Sequence, residues 1–191
     1  MANVDRPRGL EPIGTMSGSP WQATVRWYDV ASTYAADLFI GDAVKLNANG
    51  TVERAVAGTD NLIGVIVGFP RTGDDDNFLS NDPEILERVY LPANTGGKVA
   101  VAVGPTVLYT IQDDASAIPS QSWVGKGTNL VYNAPTNVEN WSRSAMEIDA
   151  SNVGTGSQFI IVDYLREPGN DITAGNAEWI VRISDASYAL S

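Results

Sequence analysis

The amino-acid sequence predicts an all-β fold: a single small β-barrel or sandwich with long loops and an extended N-terminal arm. Short segments alternate apolar and polar side chains, which is the period of a strand with one buried face. Clusters of glycine, proline, asparagine and aspartate separate these segments. No stretch of helical period reaches about 12 residues. A chain of 191 residues, 43% of them apolar, is long enough to bury an ordinary core in one domain.

Residues 1–20 are expected to form an arm outside the folded domain, which would then span residues 21–191. Three prolines and three glycines fall in this arm, and Pro7, Pro12 and Pro20 forbid a continuous helix. Neither a helical nor an alternating period is present in it. We therefore expect that removal of residues 1–18 leaves the rest of the chain folded.

The first part of the domain is predicted to contain a strand, a hairpin and a fully buried strand. The first strand begins at Trp21 and places Trp27 on its inward face. Apolar residues on both sides of Asn49-Gly50 predict a hairpin, because both turn residues tolerate positive φ. The segment LIGVIVGF, residues 62–69, is continuously apolar and rich in β-branched side chains, which is typical of a strand buried on both faces.

The rest of the domain is predicted to alternate strands with long loops. Residues 70–83 indicate an acidic loop, and residues 84–89 a single helical turn. The segment KVAVAVGPTVLYTI predicts two strands that meet at Gly104-Pro105, and a short strand is expected at residues 129–132. The last two strands are QFIIVDYL and EWIVRIS, with Trp179 on a buried face and a looping connection of about fifteen residues between them.

The absence of histidine and cysteine from the sequence excludes several kinds of chemistry. Without these residues there is no imidazole base, no thiolate nucleophile, no disulfide and nearly none of the usual structural zinc sites. We therefore expect a protein that is not an enzyme and has no cofactor and no metal. Glycoside hydrolysis by two carboxylates is the catalytic alternative that the composition leaves open.

The charge balance limits the expected partners. Acidic residues outnumber basic ones by 23 to 12, which gives a net charge of −11. This charge repels nucleic acids and anionic membranes, so neither is an expected partner. The first twenty residues lack the apolar core of a signal peptide, and the longest nearly apolar run, residues 62–70, is too short to span a bilayer. We expect a soluble protein that is not secreted by a cleaved signal.

The acidic run at Asp74, Asp75 and Asp76 is the segment most similar to a calcium-binding loop. The EF-hand pattern requires an oxygen ligand at its fifth position, where this sequence has Phe78. Because the pattern fails, a solvated acidic loop is the preferred interpretation. A looser calcium site that uses Asp74, Asp76 and Asp82 is the alternative.

The five tryptophans divide into two groups. Trp27 and Trp179 lie on apolar strand faces and are assigned to the core, whereas Trp21, Trp123 and Trp141 lie at strand edges or in loops. A surface tryptophan offers a large contact area, so the second group is assigned to contacts with a partner protein or a sugar. For Trp123 and Trp141, packing beneath long loops is the alternative.

Several sequence features together resemble virion proteins of tailed bacteriophages. They are the opening MANVDRPRGLEPIGTMSGSPW, the Gly-Asp-x-Val turn at residues 41–44, and the segments NLIGVIVGF, YTIQDD and REPGNDITAGNAEWIVRI. Over residues 38–111, a Gly-Asp-x-Val turn is followed by an Ile-Gly-Val strand and valine-rich strands around a glycine. This order is similar to that of the small β-barrel capsid cement, or head decoration, proteins.

The resemblance implies a structural role on the outer surface of a phage head. A cement protein binds neighbouring subunits of the major capsid protein after the shell expands, and it resists the pressure of the packaged DNA. A homotrimer is the expected assembly, with a dimer as second choice. The alternative function is a receptor- or carbohydrate-binding β-module of a phage fibre or tail, which would also be acidic and all-β.

The residues expected to bind the capsid lie in the arm and at its junction with the domain. An extended segment covers a large surface and is able to pair with the edge strand of a neighbour. The partner-binding candidates are Arg6, Arg8, Leu10, Ile13 and Trp21. The alternative for each is a residue of an idle terminus.

Overall fold

The computed structural model describes residues 3–70, 90–134, 138 and 142–185. The acidic run at residues 74–82, the helical turn expected at residues 84–89 and Trp141 lie outside these residues. Within the described part, strands and single-turn 3-10 helices form the regular structure, and the two largest sheets pack as a sandwich that is not closed into a barrel. The all-β prediction is therefore confirmed.

Fourteen short strands and three 3-10 helices, η1 to η3, make up the described elements, and the longest strand has seven residues. In chain order they are β1 (Glu11–Thr15), η1 (Trp21–Thr24), β2 (Val25–Val30), β3 (Leu38–Phe39), β4 (Ala43–Leu46), β5 (Val52–Arg54), β6 (Gly64–Gly68), β7 (Tyr90–Leu91), β8 (Gly97–Val103), β9 (Val107–Gln112), η2 (Gln121–Trp123), β10 (Gly127–Thr128), β11 (Leu130–Tyr132), β12 (Met146–Ile148), η3 (Ala150–Asn152), β13 (Phe159–Tyr164) and β14 (Glu178–Ile183).

Two five-stranded antiparallel sheets carry most of the fold. Sheet A has the strand order β1-β9-β14-β13-β10, and sheet B has the order β2-β8-β6-β4-β5. Two ribbons, β3–β7 and β11–β12, lie beside them. The chain passes from sheet B to sheet A between β8 and β9, where Gly104 has a φ of 115° that other residues rarely adopt. The two strands expected around Gly104-Pro105 thus belong to different sheets.

The predicted hairpin around Asn49-Gly50 joins β4 to β5. Leu46 pairs with Val52 across it, and Gly50 has a φ of 80°. The side chain of Asn47 stabilises the turn, because its Oδ1 accepts hydrogen bonds from the N–H groups of Asn49 and Thr51. The position of this hairpin follows from the sequence, but of the two predicted turn residues only Gly50 has a positive φ.

Strand β6 is buried on both faces, as the sequence of residues 62–69 predicts. Alternate residues of β6 point to opposite sides: Val65 joins the main core, which sheet B shares with sheet A, and Ile66 joins a second core. The largest fully buried side chains of the main core include Trp179, Tyr109 and Phe159. Small side chains such as Ala43 and Ala102 form the sheet B side of that core.

The second core lies on the other face of sheet B. Sheet B curls around it, so that its outermost strands β2 and β5 approach each other, and the β3–β7 ribbon contributes Leu38 and Leu91. Tyr28 and Val30 of β2 pack into this core. Trp27 lies on the opposite face of the strand and is 58% exposed. The assignment of Trp27 to the core was wrong, because the inward face of β2 carries the other set of alternate residues. Residues 21–24, expected to begin this strand, form η1 instead.

The N-terminal segment is part of the sandwich, which corrects the expected boundary at residue 20. β1 pairs with β9 at the edge of sheet A. Leu10, only 1% exposed, packs in the main core, and its N–H donates to the carbonyl oxygen of Gly41 at 3.0 Å. Pro12 and Gly14 hid this strand in the sequence, yet an edge strand tolerates proline because its outer N–H groups need no partner.

Candidate functional site

β1 and β2, an outermost strand from each sheet, follow each other in the chain. β1 ends sheet A next to β9, and β2 ends sheet B next to β8. The connection between them includes η1, which packs against β1, β8 and β9. We call this surface, formed by β1, the turn at residues 16–20, η1 and β2, the β1/β2 flank.

Three large apolar side chains are exposed on the β1/β2 flank. Ile13 of β1 is 48% exposed, Met16 in the following turn 56%, and Trp27 of β2 58%. Single exposed apolar residues are common, but several on one connected surface are typical of protein interfaces. Tryptophan and methionine are also enriched at such interfaces. The flank is therefore the candidate interaction surface of the described residues.

The backbone of β1 limits how a partner is able to bind there. Pro12 has no N–H, and the pairing of β1 with β9 shifts register between Pro12 and Gly14, which places a bulge at Ile13. Both features interrupt the row of hydrogen-bonding groups that an added strand would need. Binding at this edge would depend on the side chains of Ile13 and Met16 rather than on the edge-strand pairing expected from the sequence.

The three apolar residues predicted to bind a partner differ in how much of each side chain is exposed. Ile13 lies exposed on the flank, and Trp21 of η1 is half-buried and packs against the main core. Leu10 is fully buried within its own chain, so it is not accessible to a capsid protein while the fold is intact. Met16, which also lies in the expected arm, was not among the candidates, and Trp27 was missed because the face of its strand was assigned inward.

The two arginine candidates are held against the body of the protein. The guanidinium of Arg8 binds the carboxylate of Glu178 at 2.8 Å and that of Glu11 at 3.2 Å. The side chain of Arg6 is exposed, and its backbone N–H donates to Oε1 of Gln112 at 3.0 Å. These contacts fix the position of the N-terminal segment, and only the Arg6 side chain projects freely enough to meet a partner.

The Gly-Asp-x-Val turn has a structural explanation. Asp42 is fully buried, and its Oδ2 accepts a hydrogen bond from the N–H of Phe39 at 3.0 Å. Burial raises the pKa of Asp42 to about 6, while hydrogen bonds from Ser144 and Phe39 oppose the rise. Gly41, with a φ of 95°, accepts from Leu10 and donates to Ile66. The motif therefore joins β1 to sheet B and is explained by folding.

Asp113 is a second buried carboxylate, which sequence reasoning missed. Its two oxygens accept hydrogen bonds from the N–H groups of Ala115, Asn176 and Ala177 and from Nε1 of Trp179, all between 2.9 and 3.0 Å. Four donors around one carboxylate are a structural arrangement, because no acceptor position is left for a substrate. Asp113 ties the loop before β14 to the end of β9.

The described part of the chain offers neither a metal-binding cluster nor a membrane-spanning helix. No group of three or more Asp or Glu side chains there is arranged to hold a metal ion. None of the helices in that part has the length and apolar character needed to cross a membrane. The calcium alternative at Asp74, Asp76 and Asp82 stays a prediction, since those residues lie outside the description.

A polar cleft opens on sheet B, away from η1. It has a volume of about 380 Å³ and lies between the loop after β2 and the β4–β5 hairpin. Its polar walls include Tyr34, Asn47, Asn49 and Thr51. The Thr51 hydroxyl is buried without a hydrogen-bond partner among the described residues.

Comparison of the chain with protein-family models, with curated proteins and with solved structures gave no match. The described residues form a two-sheet sandwich with an apolar flank and a small polar cleft.

Proposed function

We propose that this chain is a structural virion protein, a capsid cement or decoration protein of a tailed phage. In this role it binds the outer surface of the head and bridges subunits of the major capsid protein, without catalysing a reaction. A homotrimer is the proposed assembly, with a dimer as the next choice. The observation that carries the proposal is the exposure of Ile13, Met16 and Trp27 on the β1/β2 flank.

The flank suits a binding role because its exposed side chains stand on a fixed base. Leu10 anchors β1 in the main core, and Trp21 anchors η1 against the same core. Exposed side chains on a rigid strand lose little freedom on binding, so a modest contact area yields more affinity than it would on a mobile arm. Many copies on one particle would add avidity.

The charge supports a position outside the shell. With a net charge of −11 the protein is repelled by packaged DNA, which is itself a polyanion. Ile13, Met16 and Trp27, which carry the proposed contact, are uncharged, whereas Glu11, Arg26 and Asp29 place charged groups elsewhere on the flank.

The test replaces the flank residues by aspartate. Ile13→Asp and Trp27→Asp are expected to abolish decoration, because each places a charge in the proposed apolar contact. The measurement is the amount of protein bound per major capsid subunit after sedimentation of expanded heads. Ile118→Asp is the matched control, since Ile118 is 81% exposed on a loop outside the flank.

Thermal unfolding shows whether each variant has kept its fold. Full decoration by both folded flank variants would overturn the proposal. The copy number of the protein in intact virions, relative to the major capsid protein, separates a head location from a fibre or tail location, where far fewer copies occur.

The polar cleft favours a second candidate function, a carbohydrate-binding module of a fibre or tail. Its lining combines the aromatic ring of Tyr34 with amide and hydroxyl groups and the carboxylate of Glu53, which are polar groups able to hydrogen-bond a sugar. Calorimetric titration with a panel of bacterial polysaccharides tests this function. Binding that is lost in Asn49→Ala would support it, and the absence of binding by the wild-type protein would remove it.

A further inference from the structure

Residues 3–8 are held against the body of the protein almost entirely by polar contacts. We call them the N-terminal strap. Nδ2 of Asn3 lies within 3.0 Å of the carbonyl oxygens of Asp171, Ala174 and Gly175. Its Oδ1 accepts from the N–H of Asp171 at 2.8 Å. The strap therefore closes over the loop between β13 and β14.

The middle of the strap is clamped by one side chain. Nε2 of Gln112 donates to the carbonyl oxygen of Val4 at 2.9 Å, and Oε1 of Gln112 accepts from the N–H of Arg6 at 3.0 Å. Val4 is 74% exposed, so it adds no burial. Apolar anchoring begins only at Leu10, after Gly9, which has a φ of 73°. The strap is thus able to leave the body while β1 stays in place.

Four carboxylates from three separate segments gather where the strap crosses the body. Asp5 lies between the two strap residues that Gln112 holds, and Asp113 and Asp114 follow Gln112 directly. Asp113 bridges to Ile148, and the N–H of Asp114 donates to the carbonyl oxygen of the same residue at 3.1 Å. This pairing brings Glu147 of β12 to the same place.

Ionisation of Glu147 is costly, and burial likewise raises the pKa of Asp113 in the same cluster. Glu147 is only 5% exposed, on the side of β12 opposite to Met146 and Ile148, which pack in the main core. The groups that face it are Asn133 from the segment after β11, Asp5 from the strap, and Asp113 and Asp114 from the end of β9. All three of these charged groups are acids, so ionised Glu147 adds like charge beneath the strap.

We infer that the N-terminal strap is a pH-dependent latch: it is held more firmly while Glu147 carries a proton, and it detaches more often when Glu147 ionises. Burial raises the pKa of Glu147 to about 7, the hydrogen bond from Asn133 opposes the rise, and the neighbouring carboxylates of Asp5, Asp114 and Asp113 increase it. The change between the two states therefore falls near neutral pH.

The test measures hydrogen exchange at the backbone amide of Arg6, the strap N–H that donates to Gln112. Its rate, divided by the intrinsic rate at each pH, is compared by NMR at pH 6 and pH 8. We expect protection of this amide to fall about fivefold between the two pH values in the wild-type protein, the effect of one added like charge at short range. Glu147→Gln, which mimics the protonated side chain, is expected to keep the protection at both pH values.

Two further variants complete the experiment. Asp5→Asn removes the strap's own carboxylate and is expected to reduce the loss of protection. Glu53→Gln is the matched control, because Glu53 pairs with Lys45 on sheet B, and it is expected to behave as the wild type. A loss of protection in Glu147→Gln equal to that of the wild type would overturn the latch, and so would a wild-type amide whose protection does not change with pH.

Discussion

Trp123 stacks on Trp179, with their ring centroids 5.2 Å apart and their planes at 29°. Trp179 lies fully buried in β14, and its Nε1 donates to Oδ2 of Asp113 at 3.0 Å. Trp123 comes from η2, in a stretch without any strand pattern, yet it is only 7% exposed. The packing role that the sequence left open for Trp123 is thus the one observed, and the ring extends the main core beneath a loop.

Replacing Trp123 by alanine should therefore be costly. The substitution removes a buried aromatic ring and leaves a cavity against Trp179, which is expected to lower the free energy of unfolding by about 3 kcal/mol or more. Trp27→Ala deletes an equal ring from an exposed position and is expected to cost less than about 1 kcal/mol. Urea denaturation of both variants measures the difference. Equal losses would contradict the assignment of Trp123 to the core.

Asp113→Ala is expected to destabilise the protein by about 3 kcal/mol or more, because four N–H donors lose their only acceptor in a buried site. Asp163→Ala is the control, since the Asp163 carboxylate pairs with Arg166 at the surface, where an ion pair contributes about 1 kcal/mol at most. Chemical denaturation compares the two variants. A loss no larger in Asp113→Ala than in Asp163→Ala would show that the loop before β14 does not depend on this carboxylate.

Two truncations of the N-terminus, of residues 1–8 and of residues 1–18, should differ in their effect on stability. Removal of residues 1–8 takes away the N-terminal strap but leaves Leu10 and β1, so a cooperative thermal transition is expected to remain. Removal of residues 1–18 also deletes β1 and a buried leucine, whose loss alone costs about 2 to 5 kcal/mol. That shorter protein is expected to lose its thermal transition or to melt far earlier. Identical melting of the two truncations would contradict the role of β1 in sheet A.

Stability should fall as pH rises through the pKa of Asp42. The folded protein holds the Asp42 proton up to a pKa of about 6, whereas the unfolded chain releases it near 3.8. Between these values the folded state binds more protons, so its stability is greatest at low pH and is lost as pH rises to about 6. From pH 5 to pH 8 this contribution is about 1 kcal/mol. Asp42→Asn has no proton to lose and should lack this part of the dependence, which urea denaturation at both pH values measures.

The strands that local pattern specifies were predictable. The β4–β5 hairpin and strands β6, β8, β9, β13 and β14 all carry enough alternation or β-branched content to be placed from the sequence. In β14, for example, Trp179, Val181 and Ile183 are all buried, as their period of two requires. Apart from β5, which lies at the edge of sheet B, these elements form the centres of both sheets, where side-chain burial is strongest.

The features that were not predictable depend on tertiary contacts. The curl of sheet B decides which face of β2 points into the core. The alternation of residues along β2 therefore did not show whether Trp27 points inward or outward. β1 has a proline and a glycine in five residues, which gives it a low strand propensity. It forms because it pairs with β9 and because Leu10, directly before it, packs in the main core. The candidate flank combines these two elements, and for that reason sequence reasoning found Ile13 and missed Trp27.

Sheet B separates the two cores and is a shared wall between them. If the elements on either face of sheet B were removed, the apolar side chains on that face would be exposed to water. We therefore expect loss of sheet B to expose both cores together.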